Sequence, residues 1–121
     1  MARLVLEDED LVLRLSWRER LLARRREVRV SVADVKDVRI EPDWWRSLRG
    51  TPRGGVCRPG HCLGERRHAH GRDFVAVRAD EPVVVVDLWP SAPFARLAVS
   101  APEPDGEVVR DIRHRRVGER P

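Results

Sequence analysis

Tyrosine is absent from the 121 residues, lysine occurs once, at Lys36, and aromatic side chains make up only 5% of the chain. With so few rings the interior has to be built mostly from Val, Leu and Ala, which suits strands. Cysteine occurs twice. A single domain of this length buries roughly two-thirds of its unfolded surface, so the core needs no disulfide staples. No apolar run approaches the ~20 residues of a bilayer-spanning helix. The first ten residues carry four acids and no signal-peptide apolar core. These absences lead to the expectation of a cytoplasmic chain with both thiols reduced.

Charge is plentiful, at 36% of residues against 41% apolar. The apolar residues are gathered in runs, which excludes global disorder. The net charge is +4, carried almost wholly by arginine. Guanidinium groups favour bidentate contacts with carboxylate or phosphate, although a GC-rich coding sequence accounts for the bias equally simply. The 20 acidic residues are interspersed. That mixture disfavours nucleic acid, whose binders concentrate basic charge on one face.

Seven short apolar segments read as strands. Residues 3–7 and 11–15 flank the acidic turn Asp8-Glu9-Asp10 as a hairpin. Residues 28–32 and 34–40 follow, the latter ended by Pro42. Residues 73–78, 82–88 and 94–100 complete the set. Val83-Val84-Val85-Val86 lacks alternation, which predicts burial on both faces. Ser16 and Glu19 fit a capping box for a helix over 17–26, with Trp17, Leu21 and Leu22 on one face. A second helix, capped by Asp105, carries the stripe Val108, Val109 and Ile112, suited to packing on a sheet. One domain over 1–116 is expected, with a frayed tail at 117–121.

Periodicity vanishes between Asp43 and Gly71, which predicts a long irregular loop at 43–71. It holds Cys57, His61, Cys62, His68 and His70. These are zinc-compatible residue types, but Cys-x4-Cys and His-x-His are not a zinc-knuckle spacing, so no metal and no cofactor are assigned and Cys57, Cys62, His68 and His70 stay weak candidates. A Cys57–Cys62 bond is within reach, yet a cytoplasmic placement favours two free thiols. A Cys–His nucleophile pair would need support from a rigid element, which a loop does not give. Gly54-Gly55 and Gly60 do not follow a strand and open a helix as a phosphate loop must, and no Ser sits in a nucleophile elbow. The expectation is that the protein is not an enzyme.

Two other clusters suggest contact surfaces. Trp44-Trp45 with Arg46 and Arg49 forms a candidate protein-binding hot spot. The competing reading buries at least one indole as core. Arg24, Arg25, Arg26 and Arg29 form a candidate anion or lipid-headgroup site, or a solvated helix end.

The pieces Glu27–Val30 through Val38–Ile40, Trp45-Arg46-Ser47-Leu48-Arg49-Gly50, Gly71–Val77 and Ala92–Ser100 resemble a family of small actinobacterial proteins associated with a bacterial pleckstrin-homology-like fold. The resemblance covers nearly the whole chain. It implies a mainly β domain, a bent antiparallel sheet or split barrel closed by a C-terminal helix. It carries over no catalytic or ligand residues. Two features depart from it: the Cys57–Gly64 segment, apolar and Gly-rich in such relatives, and the early helix at Trp17. The function expected is a non-catalytic interaction or scaffold module with an unidentified protein partner or a second copy of itself as a homodimer. The alternatives are a weak anionic-lipid or phosphate binder in peripheral contact with a membrane, and a small metal-binding protein.

Overall fold

The computed structural model describes residues 2–23, 27–101 and 109–114. The chain is mainly β, in two sheets, with a short C-terminal helix at 109–114.

The small sheet is an antiparallel meander of β1 (Arg3–Glu7), β2 (Asp10–Arg14) and β3 (Glu27–Ser31). Its alternation puts Leu4 opposite Leu13 and Leu11 opposite Val30, so one face is wholly aliphatic. Between β2 and β3 lies α1 (Trp17–Ala23). Its capping box forms reciprocally: the Ser16 N–H donates to Glu19 Oε1 at 2.9 Å, and the Glu19 N–H donates to Ser16 Oγ at 3.3 Å. Burial pushes the Glu19 carboxyl up, but hydrogen bonds to it from the Ser16 backbone N–H, the Ser16 hydroxyl and the Ala2 backbone N–H win and hold it below its ordinary value. The apolar face of α1 does not join the core: Trp17 is 65%, Leu21 68% and Leu22 44% exposed.

The large sheet has the order β4-β9-β10-β8-β7-β5, with β6 also on β7. Its strands are β4 (Val35–Glu41), β5 (Thr51–Pro52), β6 (Val56–Arg58), β7 (His61–His68), β8 (Gly71–Arg78), β9 (Val83–Leu88) and β10 (Arg96–Ser100). Three features differ from the sequence expectation. The sheets do not close into a barrel among the described residues. β10 slots between β8 and β9 and runs parallel to β8, so the sheet is not purely antiparallel. And 43–71 is not an irregular loop: it holds a 3-10 turn at Trp44–Ser47 and strands β5, β6 and β7. The eight-residue β7 pairs with β8 along its whole length. Its polar residues hid it, because at its Arg66 end the sheet face is ionic rather than apolar.

The large sheet is apolar on both faces. One face, with Phe74, Val84, Val86 and Leu97, packs with Leu11, Leu13 and Val28 of the small sheet and with Val109 and Ile112 of the terminal helix. The other presents Cys62, Val75, Val77, Val83, Val85 and Ala98, covered by Trp44 and Leu48. The valine quartet is therefore buried on both sides, as its lack of alternation requires. Arg113 of the terminal helix donates Nη2 to the Val38 carbonyl at 2.7 Å and Nε to the same oxygen at 3.2 Å, covering part of the open edge of β4. Asp105, expected as the cap, and Val108 of the expected stripe lie outside the described residues.

Candidate functional site

Ion pairing begins where the valine rows end. On the face under Trp44 and Leu48 the register aligns Asp37 of β4 with Asp87 of β9, Asp87 with Arg96 of β10, Arg96 with Asp73 of β8, and Asp73 with Arg66 of β7. One row of charge crosses five strands. Period-two alternation forces this, because Asp87 shares a face with Val83 and Val85, Asp73 with Val75 and Val77, and Arg96 with Ala98.

The row is closed by short contacts. Arg96 Nε donates to Asp87 Oδ1 at 2.7 Å, and Arg39 pairs with the other oxygen. Burial pushes the Asp87 carboxyl up, but hydrogen bonds from Arg96 and Arg39, with their charges, hold it below its ordinary value. Asp73 is fully buried. It accepts Arg49 Nε at 2.9 Å and Nη2 at 2.8 Å, and the hydrogen bond to Asp73 raises the Arg49 pKa. His68 Nε2 lies 2.9 Å from Asp73 Oδ1. The backbone N–H of His70 donates to His68 Nδ1 at 3.1 Å, which turns Nε2 toward Asp73. Arg66 donates Nε to the Arg49 carbonyl at 3.0 Å and Nη2 to the Gly50 carbonyl at 2.7 Å, holding the 49–50 turn over the sheet.

Beside this row opens a groove of about 760 Å³. Arg49, Asp87 and Arg96 reach it from the row, and Trp89, Pro90 and Pro93 of the β9–β10 connection form its apolar side. Trp89 is 41% exposed. Lys36 Nζ sits 5.2 Å from the Trp89 ring centroid. Arg72 lies 4.8 Å from the Phe94 ring and is steadied by the Pro93 carbonyl at 3.0 Å and Glu65 at 3.1 Å. The connection is braced: the Trp89 N–H donates to the Asp34 carbonyl at 2.8 Å and the Ala95 N–H to the Arg72 carbonyl at 2.7 Å. The lining holds four cations, Lys36, Arg49, Arg72 and Arg96, against two carboxylates, Asp37 and Asp87.

The residues singled out in the sequence are divided by the fold. Trp44 turns inward onto the second core while Trp45 is 57% exposed. Their rings meet edge to face with centroids 6.0 Å apart. Arg46 is exposed beside Asp43, and Arg49 is turned to Asp73. Arg24, Arg25 and Arg26 lie outside the described residues. Arg29 is matched by Asp10 at 3.0 Å, Glu7 at 3.4 Å and Glu27 at 3.5 Å, which leaves it poorly placed to recruit another anion.

The two cysteines, expected as free thiols, are joined as a disulfide between register partners of β6 and β7. Opposed positions on paired strands bring two Cβ atoms close, which six residues read as a loop could not reveal. With both sulfurs bonded and both His68 nitrogens engaged, the weak metal candidates do not assemble; among the described residues no three His, Cys, Asp or Glu groups converge as a metal site.

Sequence reasoning missed Asp73, Asp87, Arg96 and Arg66. Their signal was a charge at the core-facing parity of an otherwise aliphatic strand. No helix among the described residues is long and apolar enough to cross a membrane. Comparisons with protein-family models, curated proteins and solved structures gave no match.

Proposed function

We propose that this chain is a non-catalytic interaction module with a pleckstrin-homology-like β body, and that the groove beside Trp89 receives an acidic segment of a partner protein. The observation that carries this is the groove lining: an exposed indole and two prolines next to four basic side chains, of which Arg49, Arg72 and Arg96 are braced by Asp73, Glu65 and Asp87 and Lys36 lies against the Trp89 ring. Exposed aromatic and Arg side chains are the residue types that dominate binding energy at interfaces, and a cationic groove speeds and selects acidic partners. The acid–base groups beneath are tied to one another, which supports positioning rather than proton transfer. The β-rich body with a C-terminal helix on its core supports the pleckstrin-like assignment, and the parallel β8–β10 pair is its departure. Trp45 and Arg46, exposed on the turn before Arg49, extend the contact surface. The module is placed in the cytoplasm, where the Cys57–Cys62 bond meets reducing thiols.

The test is a calorimetric titration with a Glu-rich peptide containing interspersed aliphatic residues. Binding that weakens steeply with salt and is lost in Lys36→Glu/Arg72→Glu supports the groove. Absence of binding at low salt, or binding indifferent to that variant, removes it.

A second reading rests on α1. Trp17, Leu21 and Leu22 are exposed together, the Arg18 guanidinium lies 5.3 Å from the Trp17 ring, and Arg24, Arg25 and Arg26 follow in sequence. Indole and leucine beside arginine suit the surface of an anionic bilayer. Co-sedimentation with phosphatidylserine vesicles but not phosphatidylcholine vesicles, lost in Trp17→Ser/Leu21→Ser, would favour it over the groove.

A further inference from the structure

We propose that Cys57 and Cys62 form a thiol-exchanging redox centre, in which Cys57 is the sulfur attacked and Arg66 steadies the departing Cys62 thiolate. Three observations converge. The sulfurs differ in access: Cys57 is exposed, whereas Cys62 is buried in the second core. A guanidinium stands beside them, with Arg66 Nη1 3.3 Å from Cys57 Sγ and 3.5 Å from Cys62 Sγ. That guanidinium is held in place, since its Nε and Nη2 donate to the Arg49 and Gly50 carbonyls.

Thiol–disulfide exchange needs an accessible sulfur for the incoming thiolate and a stabilised thiolate to leave. Exposure directs attack to Cys57. The sulfur that departs, Cys62, would otherwise be a charged atom at the edge of an apolar cluster, which is costly. A fixed positive charge within hydrogen-bonding reach offsets that cost and lowers the basicity of the leaving thiol. The co-reactant is a low-molecular-weight or protein thiol. Its thiolate bonds to Cys57 Sγ as the Cys57–Cys62 bond breaks, and the electron pair leaves on Cys62, which takes up a proton. A second co-reactant thiolate then attacks the sulfur of the first, releasing Cys57 as a thiolate that also takes up a proton. Two co-reactant thiols become one disulfide, and the protein gains two electrons and two protons. β6 is only three residues long and pairs with β7 alone, so the reduced hairpin tip can open without breaking the large sheet.

The experiment uses glutathione as the probe thiol. The air-oxidised protein is incubated with reduced glutathione, quenched with acid, labelled with a maleimide and weighed intact. The expected result is passage from no label to two, through a mixed disulfide that peptide mapping places on Cys57. Reduction is expected to slow roughly tenfold in Arg66→Gln and by less in Arg66→Lys, which keeps the charge. Mapping on the unaltered chain needs no variant to fold. The proposal is overturned by glutathione on Cys62, by an Arg66→Gln rate equal to the native rate, by two free thiols in the air-oxidised protein, or by a bond that resists millimolar glutathione for a day.

Discussion

Arg49 grips the buried carboxylate of Asp73 through two parallel hydrogen bonds, Nε to Oδ2 at 2.9 Å and Nη2 to Oδ1 at 2.8 Å. The pair joins the 49–50 turn to a central strand of the large sheet. Removing the guanidinium leaves a carboxylate in the interior with only the His68 ring against it. Arg49→Ala should therefore destabilise the fold by about 3 kcal/mol in urea unfolding. Replacing both partners, as Arg49→Leu/Asp73→Leu, should cost less than Arg49→Ala alone, because no buried charge is then left unmatched. A double variant weaker than the single would contradict the assigned role of the pair.

Acid should loosen the row at Asp87. Its carboxyl is held below the ordinary value by Arg96 and Arg39 against the opposing effect of burial. A carboxylate depressed in the folded state stabilises that state above its unfolded pKa, about 3.9 for Asp. That contribution is lost as pH falls from there through the lower folded value. Urea midpoints measured from neutral pH down to pH about 2 should fall across this window, and Arg96→Gln should flatten the fall. An unchanged slope in Arg96→Gln would place the acid sensitivity elsewhere.

Gly50 adopts φ +68°, and a Cβ there would overlap the Arg67 carbonyl oxygen. Gly50→Ala should cost upward of about 2 kcal/mol, since both the left-handed backbone and the space argue against a side chain. It should also disturb Arg66, which donates to the Gly50 carbonyl. Gly54 has nothing near its Cβ position and no positive φ, so Gly54→Ala is the matched control and should be close to neutral.

The capping box at Ser16 and Glu19 closes the first turn of α1. Ser16→Ala should cost about 1 kcal/mol, and Ser16→Asp should restore most of it. The effect is read from thermal unfolding followed by circular dichroism.

Seven strands and α1 were legible because their residues obey short-range rules: alternation in 28–32, two-sided burial in 83–86, reciprocal capping at Ser16 and Glu19. What failed to show depends on distant partners. β7 carries Glu65, Arg66, Arg67 and His68, which look like a solvated loop until Asp73 and Arg49 are brought beside them. The parallel placement of β10 against β8 is a choice of neighbour, which no local pattern encodes. α1 shows the opposite error: Trp17, Leu21 and Leu22 share a face, as their spacing requires, but the fold leaves that face in solvent. Trp44 and Trp45 divide into one inward and one outward ring on a 3-10 turn, which the expectation of an irregular loop did not anticipate.

The chain holds four tryptophans, Trp17, Trp44, Trp45 and Trp89, so a proton–nitrogen correlation spectrum carries four indole N–H signals, one for each candidate surface or core position. Titration of the labelled protein with a Glu-rich peptide is the most direct test of the groove. The Trp89 signal should move progressively and saturate while Trp17 stays still. A stationary Trp89 signal, with shifts at Trp17 or at none of the four, would contradict the assignment of the binding surface.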